Sequence, residues 1–266
     1  MAIRPIAQRT LTVGRLAVEV YARRAEMGRA AAFDVAARMR ALMAKQPHVR
    51  MVFAAAASQN EFLATLAEQE NLDWSRVEAF HMDEYIGLDV DAPQSFGTFL
   101  REHLFDLVHP GRVEYIDPDA DDPDDEAERY ADLLDERPID IVCAGIGENG
   151  HMAFNDPHVA DFDDPDIAKV VDLDEVSRMQ QVHDDAFATL EEVPESAVTL
   201  TMPTLMSAGA VYCIVPGPSK AKAVRRTLEE AIDEECPATV MRRHANAILY
   251  LDRDSAARIQ APAAGA

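Results

Sequence analysis

The sequence predicts a single-domain, Rossmann-like α/β fold, with an open, mostly parallel sheet and helices on both faces. Short apolar runs alternate with amphipathic stretches, which is the pattern of successive βαβ units. The 266 residues suffice for one such domain, and no repeat or Ser/Gly-rich linker divides them. We therefore expect one domain over residues 1–260, followed at 261–266 by a tail of small residues that frays.

The first half of the chain supplies four predicted strands and three predicted helices. Apolar residues at helical spacing indicate a helix over Ala25–Ala44. A second helix is expected to open at Ser58, because Glu61 follows three residues later in a capping-box pattern. A third helix is expected at Ser95–Leu107. The strands are predicted at Leu16–Tyr21, Val49–Ala55, Val77–His81 and Arg112–Ile116.

The second half continues the alternation. An acidic loop precedes a predicted helix at Glu126–Glu136, and the most apolar strand, Ile139–Ile146, is expected at the centre of the sheet. The remaining strands are predicted at Val198–Leu200, Ala210–Val215 and Ala247–Leu251, and the remaining helices at Ser219–Ile232 and Ala238–His244.

Composition excludes several classes of function. The formal net charge of −23 argues against nucleic acid as a partner, since such a surface repels phosphate backbones. No apolar run approaches the roughly 20 residues that span a bilayer, so we expect no membrane association. Three widely spaced cysteines, an odd number, suggest reduced thiols in a cytoplasmic protein; they are Cys143, Cys213 and Cys236.

Two polar segments follow predicted strands and could carry chemistry. The first is Met82–Tyr85, with the sequence MDEY, and the second is Gly145–Pro157, with the sequence GIGENGHMAFNDP. Ligands of open α/β sheets gather at the carboxyl ends of the strands, so we expect both segments on one rim. Asp83 alone is a weak signal, because an aspartate after a strand commonly serves a turn or cap.

The glycine-containing segment strengthens that signal. Gly147 and Gly150 allow close backbone approach and positive φ, and His151 can change protonation near neutral pH. Asp156 can return beside the imidazole if the loop curls, which would orient the ring and raise its basicity. The residues indicate acid/base catalysis on a small polar substrate.

Neither a nucleotide cofactor nor a metal is expected. The GxGxxG string at 145–150 comes too late in the chain for a dinucleotide-binding first turn. The histidines at 81, 151 and 183 lack the local spacing of metal ligands. We interpret His81 as a packing residue at a strand end.

Three motifs in order resemble one family. The MDEY turn, the GIGENGHMAFNDP loop and the PGPSKAKAV helix start are similar to those of the glucosamine-6-phosphate deaminase (isomerase) family, whose relatives include the 6-phosphogluconolactonases. The string GHxAFNxP is specific to the deaminase branch. The resemblance extends from Val49 to the last strand, and it implies cofactor-free isomerisation and deamination of an amino-sugar phosphate.

The resemblance implies roles for four residues. Asp83 would move a proton between C1 and C2 of the open-chain sugar, and His151 would open the pyranose ring. Asp156 stands where the family has a glutamate, and Asn149 stands where it has an aspartate. An amide can orient an imidazole but cannot stabilise its cation by charge.

The expected phosphate site departs further from the family. A Gly-Gly-Thr type of loop is replaced by Ala54–Ala57, and alanine resists the positive φ that a glycine nest uses. Lys220 aligns with the family's phosphate lysine and Arg178 with a family arginine, while His183 stands where a second phosphate arginine is expected. The predicted substrate-binding residues are Ser58, Gln59, Lys220, Arg178, His183, Gly147 and Gly150.

Other functions remain open. A lactone hydrolase would share the fold and His151, although the AFNDP segment argues against it. A non-catalytic sugar-phosphate-binding paralogue would fit the departures at Asn149, His183 and the alanine loop. Family members are often oligomers, so a homo-oligomer is also compatible with the resemblance.

Overall fold

The computed structural model describes residues 3–260, so the predicted tail at 261–266 lies outside the described residues. Most predicted strands are confirmed, usually to within two residues at each end. The strands are β1 Arg9–Val13, β2 Leu16–Tyr21, β3 Val49–Phe53, β4 Val77–His81, β5 Asp83–Tyr85, β6 Arg112–Glu114, β7 Ile141–Ala144, β8 Ala168–Asp172, β9 Ser196–Leu200, β10 Val211–Val215 and β11 Ala247–Asp252.

Eight strands form the main sheet, in the order β1-β2-β11-β10-β7-β3-β4-β6. All neighbours in it are parallel except β1 and β2, which form an antiparallel hairpin. The chain runs outward from β3 through β4 to β6, then returns to β7 and runs outward the other way. The crevice between β3 and β7 is therefore the topological switch point, where such sheets bind ligands. The predicted interior position of β7 is confirmed.

Helices cover both faces of this sheet. Helices α1 and α2 and the π-helical segment that follows α3 pack on one face, and α5 and α8 pack on the other. None of the helices within residues 3–260 has the length and apolarity to cross a membrane. The helices are α1 Arg24–Met43, α2 Asn60–Ala67, α3 Phe96–Leu100, α4 Asp106–Val108, α5 Pro123–Asp135, α6 Glu175–His183, α7 Met202–Met206 and α8 Ala221–Glu229.

A second, three-stranded antiparallel sheet, in the order β5-β9-β8, was not predicted. The segment expected to be an MDEY turn is instead strand β5, in which Asp83 pairs with Thr199 and Tyr85 with Ala197. The expectation was wrong because β5 is only three residues long and its partner β9 lies more than a hundred residues away. The consequence is that the backbone of Asp83 is held by a sheet.

The predicted capping box at Ser58 is also wrong. The chain enters α2 through a 3₁₀ turn at Ala57–Gln59, and the cap position has no side-chain hydrogen bond. Glu61 instead accepts from Arg24 of α1, with 2.7 Å between Oε2 and Nε. The two helices approach closely at Gly28, where an added Cβ would lie 2.8 Å from the Cβ of Glu61.

Candidate active site

A cavity of about 280 Å³ lies at the switch point of the main sheet. Its walls come from the segments after four parallel strands: β3, β4, β7 and β10. Both predicted acid/base residues, Asp83 and His151, line it together with Ser58, Gly147 and Lys220. The expectation that strand ends bring these side chains to one rim is met, since they share one hollow.

Asp83 presents a carboxyl group without a protein hydrogen-bond partner among the described residues. The residue is 7 % exposed. Burial, and secondly the charge of Glu84, raises the pKa of Asp83 well above its ordinary value of 3.8. A carboxylate that is both accessible from a cavity and more basic than usual suits proton abstraction.

The neighbouring carboxylate has a structural role. Glu84 is fully buried and accepts hydrogen bonds from the Ser95 hydroxyl at 2.8 Å and from backbone N–H groups of Gly97, Tyr85 and Phe96 at 2.9, 3.0 and 3.1 Å. These donors lie at the start of α3 and in β5. Glu84 therefore ties α3 to the strand that carries Asp83.

His81 fixes the backbone behind Asp83. Its Nε2 lies 2.9 Å from the backbone N of Ile116, which can only donate, so Nε2 accepts. Its Nδ1 therefore carries the proton and donates to the carbonyl oxygen of Asp83 at 2.9 Å. Burial lowers the pKa of His81 to about 4, so the ring is neutral at physiological pH. The interpretation of His81 as a packing residue agrees with these contacts.

His151 has one ring nitrogen bonded and the other free. Nδ1 lies 3.0 Å from Oδ1 of Asp156 and 2.8 Å from the hydroxyl of Ser177. Burial opposes ionisation of Asp156, but the bonds from His151, Ser177 and Asn149 outweigh it and lower its pKa to about 2. The ionised carboxylate accepts only, so Nδ1 carries the proton. In the neutral ring, Nε2 is the basic atom available to the cavity.

Asn149 acts on His151 through Asp156 and the backbone. Its amide nitrogen donates to Oδ1 of Asp156 at 2.8 Å and to Oδ2 of Asp174 at 3.1 Å, and its carbonyl oxygen accepts from the backbone N of His151 at 2.9 Å. The loop thus curls as expected. Asp156 supplies the negative charge beside the imidazole, so the ring keeps an anionic partner although residue 149 is an amide.

Two glycines of this loop are required by packing. A Cβ at Gly147 would lie 2.1–2.4 Å from three atoms of the His151 ring, which therefore rests on bare backbone. Gly150 has a φ of 99°, and a Cβ there would lie 2.5 Å from the sulfur of Cys236. Gly147 borders the cavity, but Gly150 is not among the lining residues, so its predicted role in substrate binding is not supported.

Lys220 also lines the cavity. Its ammonium makes no hydrogen bond to the described residues, and burial lowers its pKa while Asp184 and Glu148 oppose that change. Gly217, with a φ of 92°, turns the chain after β10 so that the 3₁₀ turn Pro218–Lys220 faces the cavity. A cation whose N–H donors make no hydrogen bond to the described residues is a site for an anionic group.

The alanine loop does not need the geometry expected of a glycine nest. Ala56 is extended, with φ −163° and ψ 157°, and the 3₁₀ turn begins directly after it. Among the described residues that line the cavity, positive φ belongs to Gly217 and Ala153 instead. The alanines are therefore compatible with a phosphate beside Ser58, whose side chain borders the cavity.

Three residues predicted to bind substrate are not on the cavity wall. Gln59 is 1 % exposed, and its amide nitrogen donates to the carbonyl of Ile214 at 3.2 Å. Arg178 donates to the carbonyls of Leu190 and Val193 at 2.9 and 2.8 Å and so braces a loop. His183 ends α6 with its side chain 55 % exposed. None of the three is among the lining residues, so their part in substrate binding stays a prediction.

The residues missed from sequence lie on helices rather than strand ends. The lining also includes Arg24 from α1 and Gln180, Gln181 and Asp184 from α6 and its end. The one sequence feature that could have indicated Arg24 is its position four residues, about one helical turn, before Gly28 on the same face of α1. A second cavity of about 400 Å³ adjoins the first and shares with it the alanine loop and Asp184.

One group of side chains near the site has the proximity required of metal ligands. Asp156, His158 and Asp174 each place a potential ligand atom within 4.8 Å of the others. However, Asp156 already accepts from several donors, and Asp174 caps α6 through the backbone N of Ser177 at 2.7 Å. Hydrogen bonds thus occupy the oxygens that a metal would need.

Comparison of the sequence identifies related proteins. The family model of glucosamine-6-phosphate isomerases/6-phosphogluconolactonase matches residues 22–250. A glucosamine-6-phosphate deaminase of Staphylococcus saprophyticus is 32 % identical over 238 residues, covering 86 % of this chain and 96 % of the relative. One from Exiguobacterium sibiricum is 37 % identical over 190 residues, covering 71 % and 73 %.

Solved structures agree with these relationships. A monomeric glucosamine-6-phosphate deaminase superposes with a TM-score of 0.83 at 28 % identity, covering 91 % of this chain and 99 % of that one. A 6-phosphogluconolactonase from Thermotoga maritima superposes with a TM-score of 0.74 at 18 % identity, covering 89 % and 99 %. The latter similarity concerns the fold alone.

Proposed function

This chain belongs to the family of glucosamine-6-phosphate isomerases and 6-phosphogluconolactonases, and we propose that it converts a 2-amino-2-deoxyhexose 6-phosphate into the ketose 6-phosphate and ammonia. The observation that carries the proposal is the shared cavity, whose wall includes Asp83, His151 and Lys220. We refer to Asp83 and His151 as the sugar end of this cavity and to Ser58, Lys220 and Asp184 as its anion end.

Ring opening is the task of His151. Its Nε2 takes the proton of the C1 hydroxyl and returns a proton to the ring oxygen as the bond from C1 to that oxygen breaks. The bonds of Nδ1 to Asp156 and Ser177 keep the ring in the required tautomer and stabilise the transient imidazolium. The product of this step is the open-chain aldehyde.

Proton transfer between C2 and C1 is the task of Asp83. The carboxylate removes the C2 proton, the electron pair of that bond forms a double bond between C1 and C2, and the aldehyde oxygen takes up a proton to become a hydroxyl. Asp83 then gives its proton to C1, and the amine at C2 releases one proton as it becomes an imine, which replaces the one that the oxygen took up. The raised pKa of Asp83 makes the carboxylate a stronger base. A cationic amine on the substrate would favour the ionised form of Asp83 when the sugar binds.

Ammonia leaves after the proton transfer. The amine at C2 becomes an imine as C1 is protonated, and one water molecule adds to C2 before the bond from carbon to nitrogen breaks. The overall balance is one amino-sugar phosphate and one water giving one ketose phosphate and one ammonia. The side chains of this chain supply every proton-transfer group, so the roles of Asp83, His151 and Asp156 form one scheme.

The direct test is ammonia release from glucosamine 6-phosphate and, separately, from galactosamine 6-phosphate. We expect turnover with at least one epimer, and Asp83→Asn should abolish it. Turnover of 6-phosphogluconolactone with neither amino sugar as substrate would select lactone hydrolysis. Binding of the sugar phosphates without turnover, unchanged by Asp83→Asn, would select a non-catalytic role. Either result contradicts the proposal.

We further propose that the enzyme works in a reducing compartment such as the cytoplasm. Cys143, Cys213 and Cys236 are all free and buried in the structure. Burial raises the pKa of each thiol, which leaves it unreactive at physiological pH. Labelling of the native protein with a thiol reagent should therefore be slow.

A homo-oligomer stays a prediction of the family resemblance. A similar solved structure is that of a monomeric glucosamine-6-phosphate deaminase, which argues against an oligomer. The residues to which the chemistry is assigned, Asp83, His151 and Asp156, all belong to one chain, so the proposed chemistry is compatible with a monomer. Light scattering at micromolar concentration would give the mass directly.

A further inference from the structure

Arg24 reaches the anion end of the cavity from a helix that carries no predicted site residue. It is the first residue of α1, and it lines the same cavity as Lys220. Gly28 lies four residues later on the same helical face and allows the backbone of α1 to approach Glu61 and Phe62 of α2. This close approach places Arg24 over the 3₁₀ turn that precedes α2.

Two hydrogen bonds orient the guanidinium of Arg24, and its other N–H groups remain available to a ligand. Its Nε donates to Glu61 at 2.7 Å, and its Nη2 donates to the carbonyl oxygen of Ala57. A guanidinium has five N–H donors, so these two bonds leave three that make no hydrogen bond to the described residues. Arginine presents such donors in a fork that matches phosphate oxygens.

The positive charge of Lys220 at the anion end is opposed by nearby carboxylates. Lys220 faces two carboxylates, since both Asp184 and Glu148 act on its pKa. The predicted second cationic position, His183, does not line the cavity, and its Nδ1 lies 3.7 Å from Oε2 of Glu148. The alanine loop is extended and does not form a glycine nest. A phosphate bound beside Ser58 and Lys220 would therefore need another cation, and Arg24 is the arginine on the described wall.

We propose that Arg24 is a specificity-determining residue that binds the phosphate of the substrate together with Lys220. The inference rests on the proposed function, because it assigns a ligand to the same cavity. Arg24 acts from the β3 side of the crevice and Lys220 from the β10 side, so the phosphate lies between them. Glu61 and the carbonyl of Ala57 hold the fork in place without using its outer donors.

Steady-state kinetics with the active amino-sugar phosphate test the assignment. Arg24→Gln should raise KM about 10- to 100-fold and change kcat less than threefold, since charged hydrogen bonds to the phosphate are lost in ground and transition states alike. Arg24→Lys should recover part of KM, because it restores the charge without the fork. Arg23→Gln is the matched control: the Arg23 side chain is 79 % exposed and does not line the cavity, so both constants should stay unchanged.

A second readout separates phosphate binding from loop support. Inorganic phosphate should inhibit the wild type competitively, and Arg24→Gln should weaken that inhibition at least tenfold while its melting temperature stays within a few degrees. The proposal is overturned if KM and phosphate inhibition are unchanged in Arg24→Gln, or if kcat falls with KM constant. Absence of wild-type turnover with any amino-sugar phosphate would instead refute the proposed function, and phosphate protection against thermal unfolding would still report on Arg24.

Discussion

The two ends of the cavity are built differently. At the sugar end, each acid/base residue is backed by buried hydrogen bonds: His81 holds the backbone of Asp83, and Asp156 holds the ring of His151. At the anion end, the ammonium of Lys220 has no hydrogen bond to the described residues, and Asp184 reduces the local positive charge. Proton transfer needs reacting atoms in fixed positions, whereas an anion needs charge that several elements can supply.

This difference explains where the chain departs from its relatives. Departures at the sugar end are small and compensated, because Asn149 and Asp156 still form one bonded unit around His151. Departures at the anion end exchange whole groups, with alanines in the loop and His183 where a second phosphate arginine is expected. The comparison suggests that charge at the anion end can move between elements without disturbing the chemistry.

The largest expected effect is at the sugar end. Asp83→Asn removes the proposed base and should lower kcat by about 10³-fold, within the range of general acid/base contributions, while KM changes little. Ammonia release at saturating substrate measures this. Retention of kcat within tenfold of the wild type would break the assignment of Asp83.

The same variant should not lose stability. The folded-state pKa of Asp83 is raised, so its ionisation costs free energy of folding as pH rises from 3.8 through the raised pKa. The amide lacks this cost. We expect Asp83→Asn to unfold at neutral pH at an equal or higher denaturant concentration than the wild type, which also shows that lost activity is not lost folding.

The next effect is a loss of stability in acid that arises from His81. Its pKa is about 4 in the folded protein against 6.5 for the free side chain, so the unfolded chain binds the extra proton. The free energy of unfolding is therefore intact above pH 6.5 and falls as pH drops toward 4, by about 3 kcal/mol. Denaturant titrations between pH 7 and 4.5 measure the slope.

His81 can also be observed directly in the wild type. Its imidazole resonances should remain those of a neutral ring down to about pH 5, because the pKa is about 4. Titration of this ring near pH 6.5 in the folded protein would contradict its tight bonding behind Asp83.

A smaller effect tests the compensation around His151. Asn149→Asp restores the residue type expected of the family but replaces an amide donor with a carboxylate beside Asp156 and Asp174, 2.8 and 3.1 Å away. Like charges at hydrogen-bond distance should lower the free energy of unfolding by about 2 kcal/mol near pH 7. A variant as stable as the wild type would indicate that the loop does not depend on this amide.

The smallest effect concerns the carboxylate at the anion end. Asp184→Asn should lower KM for the sugar phosphate about fivefold, because removing one partly solvated negative charge is worth on the order of 1 kcal/mol. Asp185→Asn is a matched control, since Asp185 borders only the second cavity and asparagine tolerates its φ of 59°. Equal KM in wild type and Asp184→Asn would remove Asp184 from the anion end.

Sequence patterns predicted the sugar end because it depends on strand ends. Apolar runs located β4 and β7, and parallel strands bring the residues that follow them to one edge, so Asp83 and His151 could be paired without coordinates. The small antiparallel sheet could not be predicted, because the pairing of β5 with β9 depends on a register between distant segments.

The anion end was harder to predict because its side chains depend on helix packing. Gln59 and Arg178 have suitable chemistry, but their rotamers turn toward backbone carbonyls, which satisfy buried donors. Arg24 was missed because its position depends on the contact between α1 and α2 at Gly28, and single-sequence periodicity does not locate a contact between two helices.

The bare backbone beneath the His151 ring offers a practical route to a trapped complex. A methyl group at Gly147 would occupy space now filled by the imidazole, so Gly147→Ala should push the ring out of its place while leaving every ionisable side chain present. Such an enzyme could hold the closed pyranose long enough for crystallography, with the sugar captured before its first bond breaks.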